Sequence, residues 1–195
     1  MAAARSSRSG PSNRVRIIGG TWRGRRIAFS DRAGLRPTPD RVRETVFNWL
    51  APSLPGARVL DLFAGSGAFA FEALSRGAGA AVLVDRDPQV VRELQQQGAA
   101  LGADGARYVC ADALRFLQGA PEPFDVIFLD PPYRRGLLAP CSLALAAGGW
   151  LAPQASIYLE AERGLQPEVP APWALVRSKA AGEVGYHLAS RRAGD

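Results

Sequence analysis

Short apolar runs alternate with segments of helical spacing through the middle of the chain. The apolar runs cover residues 58–63, 80–84, 106–110 and 124–129, and helices are predicted at residues 68–76, at 88–101, in a short piece ending near 117, and at 137–147. Short runs that are bounded by turns and separated by helices indicate a mostly parallel sheet with helices on both faces. Ligands bind such sheets at the carboxyl ends of the strands, where the polar motifs of this chain fall. The pattern therefore predicts an α/β fold with a binding site at one edge of its sheet.

The two ends of the chain follow other patterns. Residues 15–18 and 21–29 are predicted to form short strands around the turn-like Gly19-Gly20, as one or two hairpins. A break at residues 35–39 precedes a helix that Pro39 opens and that Thr38 or Asp40 caps. Three late strands are predicted at residues 156–159, 174–177 and 186–189, of which the last two are suited to antiparallel pairing.

Positive charge is concentrated near the start of the sequence. The chain carries a net charge of +6, but residues 1–43 hold eleven arginines and two aspartates, a net +9, so the rest sums to −3. A basic arm on a mildly acidic body indicates a polyanion partner. The alternative is a solvated arginine-rich tail, since Lys179 is the only lysine and the composition is biased. We predict a disordered basic tail over residues 1–13, an RNA-docking hairpin over 14–36 and one α/β domain over 37–195.

Composition argues against several other classes of protein. No apolar run approaches the ~20 residues of a membrane helix, and residues 1–13 lack the apolar stretch of a secretory signal. Cys110 and Cys141 lie far apart and lack the spacing of a metal knuckle. We expect a cytoplasmic monomer that needs no metal and has no membrane partner.

The loop after the first core run combines paired glycines with a preceding carboxylate. In Asp61-Leu62-Phe63-Ala64-Gly65-Ser66-Gly67, the glycines allow a tight turn and a close approach of a ligand to the next helix. With Ala70, and with Asp85 at the ribose-binding distance, the loop also satisfies a dinucleotide pattern. However, Asp61 would repel a pyrophosphate and attract a ligand with ammonium and sulfonium groups. S-adenosylmethionine carries both groups, so the loop favours that cofactor.

Asp130-Pro131-Pro132-Tyr133 follows the fourth core run and indicates chemistry on a planar amine. The lone pair of an exocyclic amino group is delocalised into its base, and it could be localised by a carboxylate and a carbonyl that accept its two N–H bonds. The two prolines stiffen the loop and lack amide donors, and Tyr133 offers a stacking surface for a base taken out of its helix. Asp130, the Pro131 carbonyl and Tyr133 are therefore the predicted catalytic group.

These two motifs resemble those of Rossmann-like, class I methyltransferases that act on amino groups. The resemblance implies that Asp61, Phe63, Gly65 and Gly67 surround the methionine part of S-adenosylmethionine. It implies further that Asp85 binds the ribose hydroxyls and Asp112 the adenine amino group, with S-adenosylhomocysteine as the product. For Asp85 and Asp112 the alternative is a carboxylate that caps the following helix.

Two N-terminal segments narrow the family further. The segments from Arg16 to Ile27 and from Leu35 to Leu50 resemble the start of the bacterial RsmD family, and the resemblance covers about residues 14–190. It implies transfer of a methyl group to N2 of guanine 966 in 16S RNA, within the assembling 30S particle. The predicted RNA-binding residues on the hairpin are Arg16, Trp22, Arg23, Arg25 and Arg26.

Several alternatives stay open at this point. Trp22 could instead pack the hairpin onto the body of the protein. Arg36, Thr38 and Arg41 are further candidates to reach the cofactor or substrate pocket. An adenine-N6 DNA methyltransferase shares the Asp-Pro-Pro-Tyr motif but would ordinarily need a separate recognition domain. A protein-glutamine methyltransferase fits the basic arm poorly, and a non-catalytic RNA-binding assembly factor could retain the same fold.

Overall fold

The computed structural model describes residues 13–30 and 38–191. The elements in chain order are β1 (Asn13–Arg16), β2 (Arg26–Phe29), α1 (Asp40–Leu50), β3 (Arg58–Asp61), α2 (Ala68–Ser75), β4 (Ala80–Asp85), α3 (Pro88–Leu101), β5 (Ala106–Cys110), α4 (Ala113–Phe116), β6 (Phe124–Leu129), α5 (Leu138–Ala147), β7 (Leu151–Glu162), β8 (Trp173–Ala181) and β9 (Val184–Arg191). A single 3-10 turn, Ala51–Ser53, follows α1. Residues 1–12 of the tail predicted over 1–13 lie outside the described residues, as does Arg36, whereas Asn13 belongs to β1 instead of the tail.

Seven strands form one sheet in the order β5-β4-β3-β6-β7-β9-β8. The first five strands pair in parallel, and β9 lies antiparallel between β7 and β8. Because the chain runs from β3 to β4 on one side and later returns to β6 on the other, the order reverses between β3 and β6. A crevice forms at such a reversal, outside the carboxyl ends of the strands. Asp61 ends β3 and Asp130 follows β6, so both lie at this point.

Successive residues of the parallel strands face opposite layers of helices. On one side, Val59 and Phe128 pack in a core with α1, α2 and α3, and the hairpin residues Ile17 and Ile27 join the same cluster. On the other side, neighbouring strand residues pack against α4 and α5. The predicted mostly parallel sheet with helices on both faces is confirmed, as is the N-terminal hairpin of β1 and β2.

The hairpin strands are shorter than predicted. Residues 21–24 form a turn, which is closed by hydrogen bonds from the Ile17 amide to the Arg25 carbonyl at 2.9 Å and from the Gly24 amide to the Ile17 carbonyl at 2.9 Å. Gly20 and Gly24 have φ angles of 76° and 84°, which a strand does not accommodate. The prediction of a strand over residues 21–29 is therefore wrong for its first half.

Two other expectations also need correction. Strand β7 starts five residues earlier than predicted, and its pairing with β6 is irregular, so that Leu151 lies opposite Phe124 and Ser156 opposite Val126. Helix α1 begins after Pro39 without a side-chain cap. Thr38 does not cap it, since its hydroxyl donates to a distant carboxylate instead. Within the described ranges, no helix is long and apolar enough to cross a membrane.

Candidate active site

The glycine loop between β3 and α2 has a backbone that only glycine adopts easily. Gly65 and Gly67 have φ angles of 48° and 77°. A Cβ on Gly67 would lie 2.5 Å from the Phe71 ring and 2.7 Å from Leu94. The loop therefore combines two left-handed residues with a close approach of backbone to core, and it leaves backbone amides at the start of α2.

Asp85, at the end of β4, holds this loop in place. One carboxylate oxygen, Oδ2, accepts from the Gly65 amide at 3.1 Å, and Oδ1 accepts from the Asp87 amide at 2.9 Å. A carboxylate has room for about four hydrogen bonds, so Asp85 keeps capacity for further donors. The cap of α3 is Asp87, whose side chain accepts from the Gln89 amide at 2.8 Å. The alternative that Asp85 serves as that cap is thus excluded.

Asp61 is a buried carboxylate, 3% exposed, beside the glycine loop. Its pKa is raised to about 7: burial is the main cause and the nearby Asp85 carboxylate adds to it, while hydrogen bonds from the Ala70 and Phe63 amides act in the lowering direction. The raised pKa means that the charged form of Asp61 is destabilised, because no cation among the causes offsets the hydration that the carboxylate loses on burial. This position therefore suits a ligand that brings positive charge.

The remaining two cofactor candidates have structural contacts of their own. Asp112 is exposed and caps α4, where its Oδ1 accepts from the Leu114 and Arg115 amides at 3.0 and 3.3 Å. The alternative reading of Asp112 as a helix cap is therefore correct, and its Oδ2 stays available for a further donor. Phe63 is half-buried and packs against the core on the α4–α5 side of the sheet.

The Asp-Pro-Pro-Tyr loop lies across the crevice from the glycine loop. Asp130 keeps some solvent contact, yet protein atoms surround its carboxylate. Burial raises its pKa well above the ordinary value, and the charges of Glu160 and Asp61 raise it further. Asp61 and Asp130, which belong to the two predicted groups, therefore lie close enough for the charge of one to raise the pKa of the other. Pro131 is buried, whereas Tyr133 is 41% exposed and presents its ring at the surface.

Sequence reasoning missed the carboxylate that holds Tyr133. Glu160 on β7 is 4% exposed, and its Oε1 accepts from the Tyr133 hydroxyl at 3.0 Å. Its Oε2 accepts from Thr38 at 2.9 Å and from Tyr158 at 2.8 Å. The signal was present in the sequence, because Glu160 interrupts the apolar run of residues 157–161. An acidic residue inside an apolar strand is a buried charge that needs partners.

The hairpin candidates have unequal surroundings. Arg23 and Arg26 are exposed, and neither makes a side-chain hydrogen bond or ion pair with the described part of the chain. Arg16 lies 3.5 Å from Asp40 in an exposed ion pair. By contrast, Arg25 donates to the carbonyls of Ala100 and Leu101 at the end of α3. A guanidinium there satisfies carbonyls that the helix leaves free.

The tip of the hairpin lies far from the crevice. The Trp22 amide donates to Ser75 Oγ at 2.9 Å, at the end of α2, whereas the glycine loop precedes the start of that helix. Eight helical residues span roughly 12 Å. Trp22 is half-buried and packs against the core, in agreement with the alternative that it holds the hairpin against the body of the protein. Contact between these hairpin residues and RNA stays a prediction.

Taken together, the strand order, the glycine loop and the facing Asp-Pro-Pro-Tyr loop define a Rossmann-like, class I methyltransferase. The family model described as Conserved hypothetical protein 95 matches residues 15–190. The chain belongs to this family, the RsmD family.

Similar proteins agree with this membership. Ribosomal RNA small subunit methyltransferase D of Escherichia coli (strain K12) is 51% identical over 184 residues, covering 93% of this chain and 92% of that protein. The solved structure of yhhF from Escherichia coli matches with a TM-score of 0.86 and 48% identity, covering 93% of this chain and 100% of that one. The Thermus thermophilus 16S rRNA N2 G1207 methyltransferase (RsmC), in complex with AdoMet and guanosine, shares the fold with a TM-score of 0.70 at 23% identity, over 93% of this chain and 50% of that one.

Proposed function

We propose that this chain transfers a methyl group from S-adenosylmethionine to N2 of guanine 966 in 16S ribosomal RNA, in the cytoplasm. The observation that carries the proposal is the meeting of two loops at the sheet's reversal point. One loop presents the buried, uncompensated carboxylate of Asp61, and the other presents Asp130 and the exposed ring of Tyr133. The name of the Escherichia coli relative, a small-subunit ribosomal RNA methyltransferase, supports the choice of RNA.

The residues of the first loop fit the proposed cofactor. Asp61 and Asp85 would receive its positive charge and its ribose hydroxyls, and the glycine backbone would lie against its methionine part. Asp112 Oδ2 remains a candidate for the adenine amino group, and Phe63 a candidate for apolar contact. When bound, S-adenosylmethionine supplies an electrophilic methyl group whose C–S bond breaks as the new C–N bond forms, and S-adenosylhomocysteine is released.

The residues of the second loop act on the target amine. The Asp130 carboxylate and the Pro131 carbonyl accept the two N–H bonds of guanine N2, which turns its lone pair toward the methyl donor. Asp130 then stabilises the positive charge that develops on the nitrogen, and one of the two protons leaves to solvent. Tyr133 stacks on the extruded base. Because the reaction is a direct displacement, positioning provides much of the rate.

RNA would contact two separate surfaces in this proposal. At the hairpin, Arg23, Arg25 and Arg26 would contact phosphates of a large particle away from the site, and the exposed part of the Trp22 ring would stack on a base. Arg16, which pairs with Asp40 at the start of α1, would contact RNA nearer the site. Nearer the site, a groove of about 400 Å³ lies between α1 and the β8–β9 turn, with the exposed Arg41 and Lys179 among its lining residues. We call it the basic groove. The basic groove lies at the same end of the sheet as the site, because one of its lining residues, Tyr186, is the cross-strand partner of Glu160. Charge complementarity suits it to phosphates beside the target guanine.

The proposal is tested by methyl transfer to ribosomal particles. Tritiated S-adenosylmethionine is incubated with the protein and with 30S particles, or naked 16S RNA, from a bacterial strain that lacks its own member of the family. We expect label in the RNA, and mass mapping of digested 16S RNA should locate one added methyl group at guanine 966. Label on an adenine, on DNA or on protein would refute the proposed target, and absence of any label would favour a non-catalytic RNA-binding factor.

A further inference from the structure

Glu160 is a buried charge that no cation balances. It makes no ion pair with any residue in 13–30 or 38–191, and its three partners are all hydroxyl groups. Removing a carboxylate from water is costly unless hydrogen bonds replace the lost hydration. An apolar strand residue would pack at this position without that cost. The carboxylate therefore needs an explanation beyond the stability of the strand.

The three hydroxyl groups come from different parts of the molecule. Tyr133 belongs to the Asp-Pro-Pro-Tyr loop, Thr38 precedes α1, and Tyr158 lies two residues away on β7 itself. The two carboxylate oxygens divide them, since Oε1 accepts from Tyr133 alone and Oε2 from the other two. The strand is a rigid support, so Glu160 fixes the phenol end of Tyr133 relative to the sheet and to α1.

A second contact pins the same loop to the same strand. The Arg134 amide donates to Glu162 Oε1 at 3.0 Å, and Arg134 has a φ angle of 59°, which is unusual for a residue with a side chain. The backbone thus turns sharply directly after Tyr133. Because 41% of the Tyr133 surface is exposed, packing alone constrains the ring weakly. The hydrogen bond to Glu160 is therefore the main contact that fixes the orientation of the ring.

We propose that Glu160 is a positioning residue for methyl transfer: it holds the Tyr133 ring in the orientation that stacks on the target base and links that ring, through Thr38, to the start of α1. This inference rests on the proposed function. It assigns no proton transfer to Glu160 and no contact with the cofactor. Its consequence is that the loss of the carboxylate slows the chemical step while cofactor binding persists.

The test compares Glu160→Gln with Tyr133→Phe and with the double variant. Gln keeps the size of the side chain but removes the charged acceptor, and Phe keeps the ring but removes the hydroxyl. We expect each single variant to lower kcat on 16S RNA at least tenfold, with the dissociation constant of S-adenosylmethionine changed less than threefold. The double variant should be no slower than the slower single variant, because both changes act on one hydrogen bond: Tyr133→Phe removes its donor, and Glu160→Gln leaves a neutral acceptor in place of the carboxylate.

Controls separate positioning from folding and from the proposed function itself. The exposed Glu168→Gln should behave as wild type, and thermal unfolding of every variant identifies any that fails to fold. If Glu160→Gln does not fold, Thr38→Val, which removes one donor and keeps the carboxylate, should show a smaller loss of kcat. Multiplicative losses in the double variant, or wild-type kcat in a folded Glu160→Gln, would overturn the inference. Inactivity of the wild-type protein on 16S RNA would overturn the proposed function instead.

Discussion

At the scale of single residues, negative charge without compensation is the main property of the site. Burial raises the pKa values of Asp61 and Asp130, and each responds to another carboxylate: Asp61 to Asp85, and Asp130 to Glu160 and Asp61. Carboxylates that repel one another in a crevice cost folding free energy unless a cation joins them. Binding of a positively charged ligand would relieve this repulsion, so the site of the free protein favours cations. S-adenosylmethionine has one more positive charge than S-adenosylhomocysteine, so the same field favours substrate over product.

The affinity for S-adenosylmethionine should depend on pH through Asp61. With its pKa raised to about 7 in the free protein, this group binds a proton below neutral pH that a cationic ligand must displace. Affinity should therefore fall as pH drops below about 7, approaching about tenfold per pH unit, and level off above it. Isothermal titration calorimetry between about pH 5.5 and 8.5 measures this. The Asp61→Asn variant should bind S-adenosylmethionine at least about tenfold more weakly above pH 7, and its affinity should depend little on pH. An unchanged pH profile in that variant would contradict the role of Asp61 in binding the cofactor.

Asp61 also makes the stability of the folded protein depend on pH, but stability falls as pH rises whereas the affinity for S-adenosylmethionine increases. Its pKa in the folded protein lies above the ordinary value of 3.8, so its contribution to stability is complete below about pH 4 and is lost as pH rises through about 7. Asp61→Asn should therefore gain stability over the wild-type protein at pH 8 and show little gain at pH 4.5. Urea unfolding at both pH values measures the difference, and an equal gain at both would mean that charge is not the cause.

Replacement of Asp130 should separate catalysis from cofactor binding. Asp130→Asn keeps the side-chain shape but removes the charge that stabilises the developing cation, so kcat should fall by at least about 10²-fold. The dissociation constant of S-adenosylmethionine should change little, because Asp130 lies on the substrate side of the crevice. Single-turnover methyl transfer together with calorimetry measures both quantities. Activity within a few-fold of wild type would remove Asp130 from the catalytic group.

At the scale of elements, the glycine loop shows how backbone geometry limits the sequence. Gly67 combines a φ angle of 77° with a space too small for a Cβ. Gly56 has a similar φ angle of 72° but nothing within 4 Å of an added Cβ. The pair therefore separates the cost of the left-handed conformation from the cost of the clash.

Gly67→Ala should destabilise the protein more than Gly56→Ala. The conformation alone costs about 1–2 kcal/mol, and displacement of Phe71 and Leu94 adds about 1–3 kcal/mol. Gly67→Ala should also weaken S-adenosylmethionine binding, since the loop backbone must move. Chemical denaturation and calorimetry on both variants measure these effects. Equal destabilisation by the two substitutions would show that the core absorbs the extra carbon without strain.

Glu72 attaches the N-terminal hairpin to α2 through hydrogen bonds to the hairpin backbone. This fully buried carboxylate on α2 accepts from the Ile18 and Gly19 amides at 2.7 and 2.8 Å and from Arg76 Nε at 2.7 Å. The fully buried Arg43 lies 3.6 Å away. Glu72→Gln should cost about 3–5 kcal/mol, because it removes a buried anion that pairs with the half-buried Arg76 and lies beside the buried Arg43, which then keeps only Asp40 as an anionic partner among the described residues. Urea unfolding checks this, with the exposed Glu44→Gln as control; a cost below about 1 kcal/mol would show that the hairpin docks by apolar packing alone.

The sequence anticipated elements better than it anticipated side-chain partners. Helix α3 and strand β6 have the predicted limits, because capping residues and apolar runs are local signals. The extension of β7 was not predictable, since its first half pairs through an irregularity with β6. One tetrapeptide is enough to single out the Asp-Pro-Pro-Tyr loop, but Glu160, which binds its tyrosine, comes from a strand 27 residues later. Contacts of that kind depend on strand order, which no local pattern specifies.

At the scale of the whole molecule, the two proposed RNA surfaces lie at opposite ends of the sheet. The hairpin tip lies beside the ends of α2 and α3, whereas the basic groove lies beside Glu160 at the site's end. A short RNA around the target guanine could reach the groove but not the tip. A ribosomal particle is large enough to reach both surfaces. The size of the substrate should therefore determine which basic residues matter.

Two double variants test this division. Arg41→Ala with Lys179→Ala should weaken binding to a short RNA hairpin and to 30S particles alike, and should reduce the salt dependence of log K by about 0.7–0.9 for each phosphate that is no longer neutralised. Arg23→Ala with Arg26→Ala should weaken binding to particles only, because a short RNA bound at the site does not extend to the tip. Filter binding at several salt concentrations measures both. If the hairpin variant impairs binding to the short RNA as much as the groove variant does, the target strand runs along the hairpin and the groove has no part in holding it.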